Sequence, residues 1–211
     1  MKKGLFITFE GGDGSGKTTQ INLLKDYLKS KNIEAITVRE PGGVSISEKI
    51  RCLILDNQNT DMDKITEMLL YAAARAQLVS QVILPALNQG RAVICDRFVD
   101  SSYVYQGFAR GLGIDVVQNV NNIATQKLVP DITFFMDIDP TTAMNRRLNC
   151  GNPDRLENEG VSFQEKVYEG YIELSKMFPN RIKTINASLG IEEIFSDIKK
   201  HTDILLKTFE I

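Results

Sequence analysis

The sequence predicts an α/β fold, a five-stranded parallel sheet with helices on both faces. Two observations carry this. Five short apolar runs, residues 4–9, 35–38, 92–95, 132–137 and 181–185, recur along the 211 residues, each bounded by turn or charged residues. Runs that are apolar throughout, rather than alternating, suit strands buried on both faces. Longer segments of helical period lie between them, and strand alternating with helix is the pattern of a doubly wound sheet.

The elements follow in order. The first strand runs into a glycine-rich turn, then a helix marked by Ile21, Leu23, Leu24 and Leu28. After the second strand, Arg39-Glu40-Pro41-Gly42-Gly43 must be a loop, because Pro and paired Gly break both periodic structures. Residues 61–88 read as one long helix with Pro85 near its end, and the third strand ends in Asp96-Arg97. A second irregular stretch, 149–154, interrupts helical segments after the fourth strand. The last helix holds Ile191, Ile194, Phe195, Ile198, Leu205, Leu206 and Phe209 on one stripe. No repeat or linker divides the chain, so residues 1–211 are expected to form one domain.

Composition narrows the function. Lys plus Arg is 25 and Asp plus Glu 27, a net charge of −2, which argues against a nucleic-acid binder relying on a broad basic surface. One His leaves little room for a His-cluster metal site or for chemistry needing two imidazoles. Cys52, Cys95 and Cys150 form no C-x-x-C pair, so a reduced, cytoplasmic protein is expected. The apolar stretch 5–9 stops at Glu10, too short for a signal peptide. No continuous run approaches the roughly 18 apolar residues of a membrane span.

Gly11-Gly12-Asp13-Gly14-Ser15-Gly16-Lys17-Thr18 fits G-x-x-x-x-G-K-[ST] between an apolar strand and a helical pattern, the context the motif requires. Glycines let backbone N–H groups converge on phosphate oxygens, and the helix N-terminus adds partial positive charge. Lys17 can reach the β- and γ-phosphates, and the Thr18 hydroxyl can ligate Mg²⁺. Asp96, at a strand end, can hold Mg²⁺ through water, and Arg97 can clamp a second phosphate. These residues point to a nucleoside triphosphate and leave its acceptor open. Another nucleotide, a sugar, or no acceptor at all in a nucleotide sensor would fit them.

Six segments in order, 9–19, Arg39-Glu40-Pro41-Gly42-Gly43, Tyr71-Ala72-Ala73-Ala74-Arg75, Asp96-Arg97-Phe98, Tyr105-Gln106-Gly107 and Pro130-Asp131, resemble the thymidylate kinase family over essentially the whole chain. The resemblance implies a P-loop kinase fold with a small lid, here around 146–158. It implies transfer of the γ-phosphoryl group of ATP to dTMP, with Mg²⁺, in a homodimer. Residues 11–19, namely Gly11, Gly12, Asp13, Gly14, Ser15, Gly16, Lys17, Thr18 and Thr19, would then hold ATP, and Thr18 with Asp96 the metal. Asp13, Glu40, Arg51, Tyr71, Arg75, Arg97, Ser101, Ser102, Tyr105 and Gln106 would surround dTMP. Within that set, Tyr71 would stack on thymine, Arg75 would donate to its O4 edge and Tyr105 would crowd out a 2′-hydroxyl. The P-loop interior carries no Lys or Arg before Lys17, the pattern of bacterial relatives that place catalytic arginines in the lid. Arg147 and Arg155 are expected in that role beside Lys17 and Arg97. The acceptor oxygen belongs to a phosphate with a second pKa near 6, so no general base is required.

Overall fold

The computed structural model describes residues 4–147 and 153–209. β1 (Phe6–Glu10) leads through the glycine-rich loop into α1 (Lys17–Ser30). β2 (Ala35–Arg39), α2 (Ser45–Leu55) and α3 (Lys64–Leu78) follow. A π-helical stretch, Val79–Ile83, joins α3 to α4 (Leu84–Asn88). Next come β3 (Ala92–Asp96), α5 (Val99–Ser102) and a second π-helical stretch, Tyr103–Ala109. α6 (Ile114–Ala124), β4 (Ile132–Asp137) and α7 (Pro140–Arg147) precede residues 148–152 of the expected lid, which lie outside the described residues. A 3₁₀ turn (Glu157–Glu159), α8 (Val161–Met177), β5 (Ile182–Asn186) and α9 (Ile191–Thr208) complete the chain.

All five strands are parallel, in the order β2-β3-β1-β4-β5. Successive side chains of a strand point to opposite faces. Phe6, Val93, Cys95 and Phe135 therefore enter one core with helices α3 and α8. Ile7, Phe9, Ile94 and Phe134 enter the other, against Leu24 and Leu28 of α1 and Ile194 and Ile198 of α9. Two apolar faces explain why these strands read as continuous apolar runs. The chain moves from β1 out to β2, back to β3, then across to β4. A crevice opens at the carboxyl end of β1, where that order reverses.

The segment 61–88 departs from the single regular helix expected. It starts at Lys64, where the Asp63 side chain accepts from the Ile65 N–H at 2.8 Å. It widens into a π-helical stretch just before Pro85, which has no N–H to donate to the Gln81 carbonyl one turn back. The combined helix, Lys64–Asn88, is long and apolar enough on average to cross a membrane. It nevertheless carries Glu67 and Arg75, each buried among polar partners, and packs as a core helix.

Candidate active site

In the loop after β1, one glycine is held by a close backbone approach as well as by its conformation. Gly14 has φ +84°, and a Cβ there would stand 2.1 Å from the Ala143 carbonyl oxygen of α7 and 3.2 Å from the Arg147 nitrogen. The P-loop and α7 therefore touch backbone to backbone. Gly16, φ +89°, turns the chain into α1, whose exposed Thr18 and Thr19 begin the first turn. Lys17 curls back over the loop, donating from Nζ to the carbonyls of Gly11 (3.0 Å) and Gly12 (2.9 Å). Burial lowers its pKa and the Arg97 charge lowers it further, against Asp13, Asp96 and Glu10. Two oxygens at this rim, Ser15 Oγ and Asp96 Oδ1, are buried with no hydrogen-bond partner among the described residues.

Arg97 stands opposite the loop in a left-handed conformation, φ +66°, unusual for a residue with a side chain. That conformation begins where β3 ends: the Arg97 N–H donates to the Phe9 carbonyl (2.9 Å) and the next N–H, of Phe98, to Glu10 Oε1 (2.7 Å). The guanidinium then reaches Asp13 Oδ1 at 2.9 Å, lies 5.6 Å from the Tyr105 ring centre and touches Ser101 Oγ at 3.3 Å. Burial raises the Asp13 pKa, but Arg97, Lys17 and Arg147 together outweigh it and hold the carboxyl well below the usual range. Glu10 is the hidden anchor. Its Oε2 accepts from Ser101 (2.6 Å) and Tyr171 (2.9 Å). Burial and the neighbouring Asp100 push its pKa up to about 7.

Beyond Arg97 lies a cavity open to solvent. Asp13, Glu40, Arg51, Tyr71, Arg75, Arg97, Ser101, Ser102, Tyr105 and Gln106 all line it, so the structure brings together every residue expected around the acceptor. Tyr71 and Arg75, one helical turn apart, present one face of α3. The Arg39–Gly43 loop supplies Glu40 through a cis Glu40–Pro41 peptide, and Arg51 holds that loop by donating to the Pro41 carbonyl at 2.9 Å.

Arg75 is more committed than its sequence position suggests. Its Nε donates to Glu40 (2.6 Å), Nη1 to Ser102 (2.9 Å) and to Asn121, and Nη2 to the Phe98 carbonyl (2.9 Å). A guanidinium has five N–H groups, so one, on Nη2, is left for a ligand. Glu40 keeps one oxygen, Oε1, with no protein donor among the described residues. Burial raises the pKa of Glu40 against the pull of Arg75.

The two arginines expected in the lid part company. Arg147 ends α7 beside the P-loop, its Nε 2.6 Å from Glu157. Arg155, expected at the transferring phosphoryl group, is instead buried away from the cavity. Its Nη2 meets Glu67 at 2.6 Å, and its Nε meets the Ile54 carbonyl at 2.8 Å. The reason is electrostatic: Glu67, 1% exposed, needs cationic partners, and Arg155 supplies one with Arg110. Sequence reasoning also passed over Glu10, Glu67 and Tyr171, and the cavity-lining Asp154, Leu156, Glu157 and Gln164. Glu10 lies inside the conspicuous 9–19 segment, and only its burial beside Ser101 marks it out.

A phosphate cradle faces a second, arginine-lined seat across Asp13, and a cavity lined by Tyr71, Arg75, Tyr105 and Gln106 continues beyond. Such a layout serves an enzyme that passes a phosphoryl group between two nucleotides, the P-loop nucleotide kinases. A family model described as thymidylate kinase matches residues 9–198. Thymidylate kinase of Thermoanaerobacter sp. (strain X514) is 52% identical over 203 residues, 96% of each chain. That of Clostridium novyi (strain NT) is 47% identical over 201 residues, covering 94% of this chain and 98% of its own. The crystal structure of thymidylate kinase from Ehrlichia chaffeensis superposes with a TM-score of 0.77 at 32% identity, over 95% of this chain and 99% of that one. The chain belongs to the thymidylate kinase family, and its activity is the ATP-dependent phosphorylation of dTMP.

Proposed function

We propose a division of labour among the residues of the site. The P-loop, residues 11–19, holds the ATP phosphates, with Lys17 swinging from the Gly11 and Gly12 carbonyls onto the β- and γ-phosphates. Arg97 clamps the dTMP phosphate, with Arg51 and Ser101 beside it. The base lies between Tyr71 and the remaining N–H of Arg75, and Tyr105 lines the sugar. The observation that carries this reading is the one cavity shared by all ten expected acceptor residues, beginning at Asp13 of the P-loop.

The chemistry asks for positioning and charge compensation. A dTMP phosphate oxygen, already mostly dianionic, attacks the γ-phosphorus, and the bond to the β,γ-bridging oxygen breaks as ADP leaves. Lys17, Arg97 and Arg147 offset the charge on the transferring group. Arg155 acts on Glu67 and anchors the far side of the lid, 146–158. The metal site fits Mg²⁺. The unpartnered Asp96 Oδ1 and the exposed Thr18 hydroxyl offer few protein ligands, and no cluster of three His, Cys, Asp or Glu stands ready among the described residues. Mg²⁺ characteristically takes one or two protein ligands and completes its shell with water and phosphate. When bound it would draw charge from the β- and γ-oxygens. Free thiols at Cys52 and Cys95 support a cytoplasmic setting. Exposed Leu53, Ile65, Leu69, Val116 and Ile123 on α2, α3 and α6 support a homodimer face, which light scattering would register as twice the chain mass.

The test is ADP release from Mg·ATP with each deoxynucleoside monophosphate in turn. The reading expects strong release with dTMP, weaker with dUMP and none with purines. Release with a purine would overturn the base assignment.

A further inference from the structure

Gln106 is 1% exposed at the wall of the acceptor cavity. Its amide has two ends of opposite hydrogen-bonding character, and a half-turn about the last bond exchanges them at little steric cost. Its neighbour decides which end faces the cavity. Gln106 Nε2 donates to Glu67 Oε1 at 2.9 Å. Glu67 also receives Arg110 through Nε (3.2 Å) and Nη2 (3.0 Å), and Arg155 at 2.6 Å. Burial raises the carboxyl's pKa, but hydrogen bonds from Arg110, Gln106 and Arg155 outweigh it and hold it below the usual range. An ionised carboxylate only accepts hydrogen bonds. The reversed amide would set two acceptors against each other in a buried place, which leaves both desolvated without a partner. Gln106 Oε1 is thus left for the cavity, and no donor among the described residues meets it.

The bases differ at the atom this oxygen would read. Thymine and uracil carry a hydrogen on N3, whereas cytosine carries a lone pair there. We propose that Glu67 is a positioning residue for base selection: it locks the Gln106 amide with its carbonyl oxygen toward the acceptor, so that the site takes pyrimidines bearing N3–H and rejects cytosine. This rests on the reading that the base of dTMP lies against Gln106. The same carboxylate also holds Arg155, so Gln106 and the start of the chain after the undescribed residues 148–152 share one anchor.

Three variants test it, with kcat and KM measured by ADP release for dTMP and for dCMP, the latter also as a competitive inhibitor. Glu67→Asp keeps the charge between Arg110 and Arg155 but withdraws it from Gln106 by one methylene, freeing the amide to turn. The dTMP KM should rise about tenfold with kcat little changed, and the preference for dTMP over dCMP in kcat/KM should fall at least tenfold. Glu67→Gln, whose own amide can face Gln106 either way, should lower the preference further; thermal melting checks its fold, and Glu67→Asp decides alone should it unfold. Gln106→Leu separates the proposal from the reading beneath it. An unchanged dTMP KM in that variant removes Gln106 from the base, and the proposal falls with it. A raised KM there, with wild-type preference in Glu67→Asp, overturns the role of Glu67 and leaves the base site standing. Equal losses for both nucleotides in Glu67→Asp also overturn it, since a purely structural residue would give that result.

Discussion

Substituting alanine for each of three P-loop glycines in turn separates backbone strain from collision. At Gly12 the added Cβ meets nothing within 4 Å and the backbone is not left-handed, so stability without nucleotide should change by less than about 0.5 kcal/mol. At Gly16 the space is equally open but φ is +89°, so Gly16→Ala should cost about 1–2 kcal/mol, the left-handed penalty alone. At Gly14 the same penalty applies at φ +84°, and the Cβ would also sit 2.1 Å from the Ala143 carbonyl oxygen. Relieving that contact to 3.0 Å, the shortest separation a real Cβ tolerates, requires α7 to retreat by about 0.9 Å. Gly14→Ala should therefore lose more stability than Gly16→Ala. Because α7 carries Arg147, turnover should also fall, on the order of a hundredfold for a misplacement of that size. Urea denaturation without nucleotide and a coupled assay of ADP release read the two effects. If Gly14→Ala matches Gly12→Ala in both, the P-loop and α7 are not in backbone contact.

The other expectations use the buried charges. Glu10 has its pKa raised to about 7 in the fold from 4.5. Between those values the unfolded chain has ionised Glu10 while the folded chain still holds the proton, so this group makes stability fall as pH rises through that window. Glu10→Gln should remove up to about 3 kcal/mol of that decline, read as urea midpoints at pH 4.5 and 7.5; parallel wild-type and variant profiles would contradict it. Arg75→Leu strands Glu40 in the core without its cation and should cost about 3–5 kcal/mol while abolishing dTMP binding, checked by denaturation and calorimetry. Arg147→Ala should lower kcat, whereas Arg155→Ala, which leaves Glu67 with one cation fewer, should lower the melting temperature and raise the dTMP KM. A kcat loss confined to Arg155→Ala would return that residue to the phosphoryl group.

What could be read in advance was local in sequence. The P-loop is eight consecutive residues between a strand and a helix, so its chemistry is visible without knowing what packs on it. The strands were equally plain, since burial on both faces leaves no polar alternation to misread, and each observed strand lies within about two residues of its apolar run. The pairing of Arg155 was not legible, because its partner, Glu67, is 88 positions away and only the fold brings α3 against residue 155. Arg75 illustrates the intermediate case. Its place one turn after Tyr71 was evident, but partners at Glu40, Ser102, Phe98 and Asn121 come from three other segments and leave it a single free N–H. The left-handed Arg97 is invisible from residue type, because an arginine has no preference for that conformation.

We propose that the cavity between Arg97 and Arg75 holds the acceptor nucleotide. A crystal structure with dTMP bound tests it most directly. The phosphate should lie within hydrogen-bond distance of the Arg97 guanidinium, the thymine ring against Tyr71 and N3 facing Gln106. Density for dTMP anywhere outside this cavity, or with its phosphate turned away from Arg97, would contradict it.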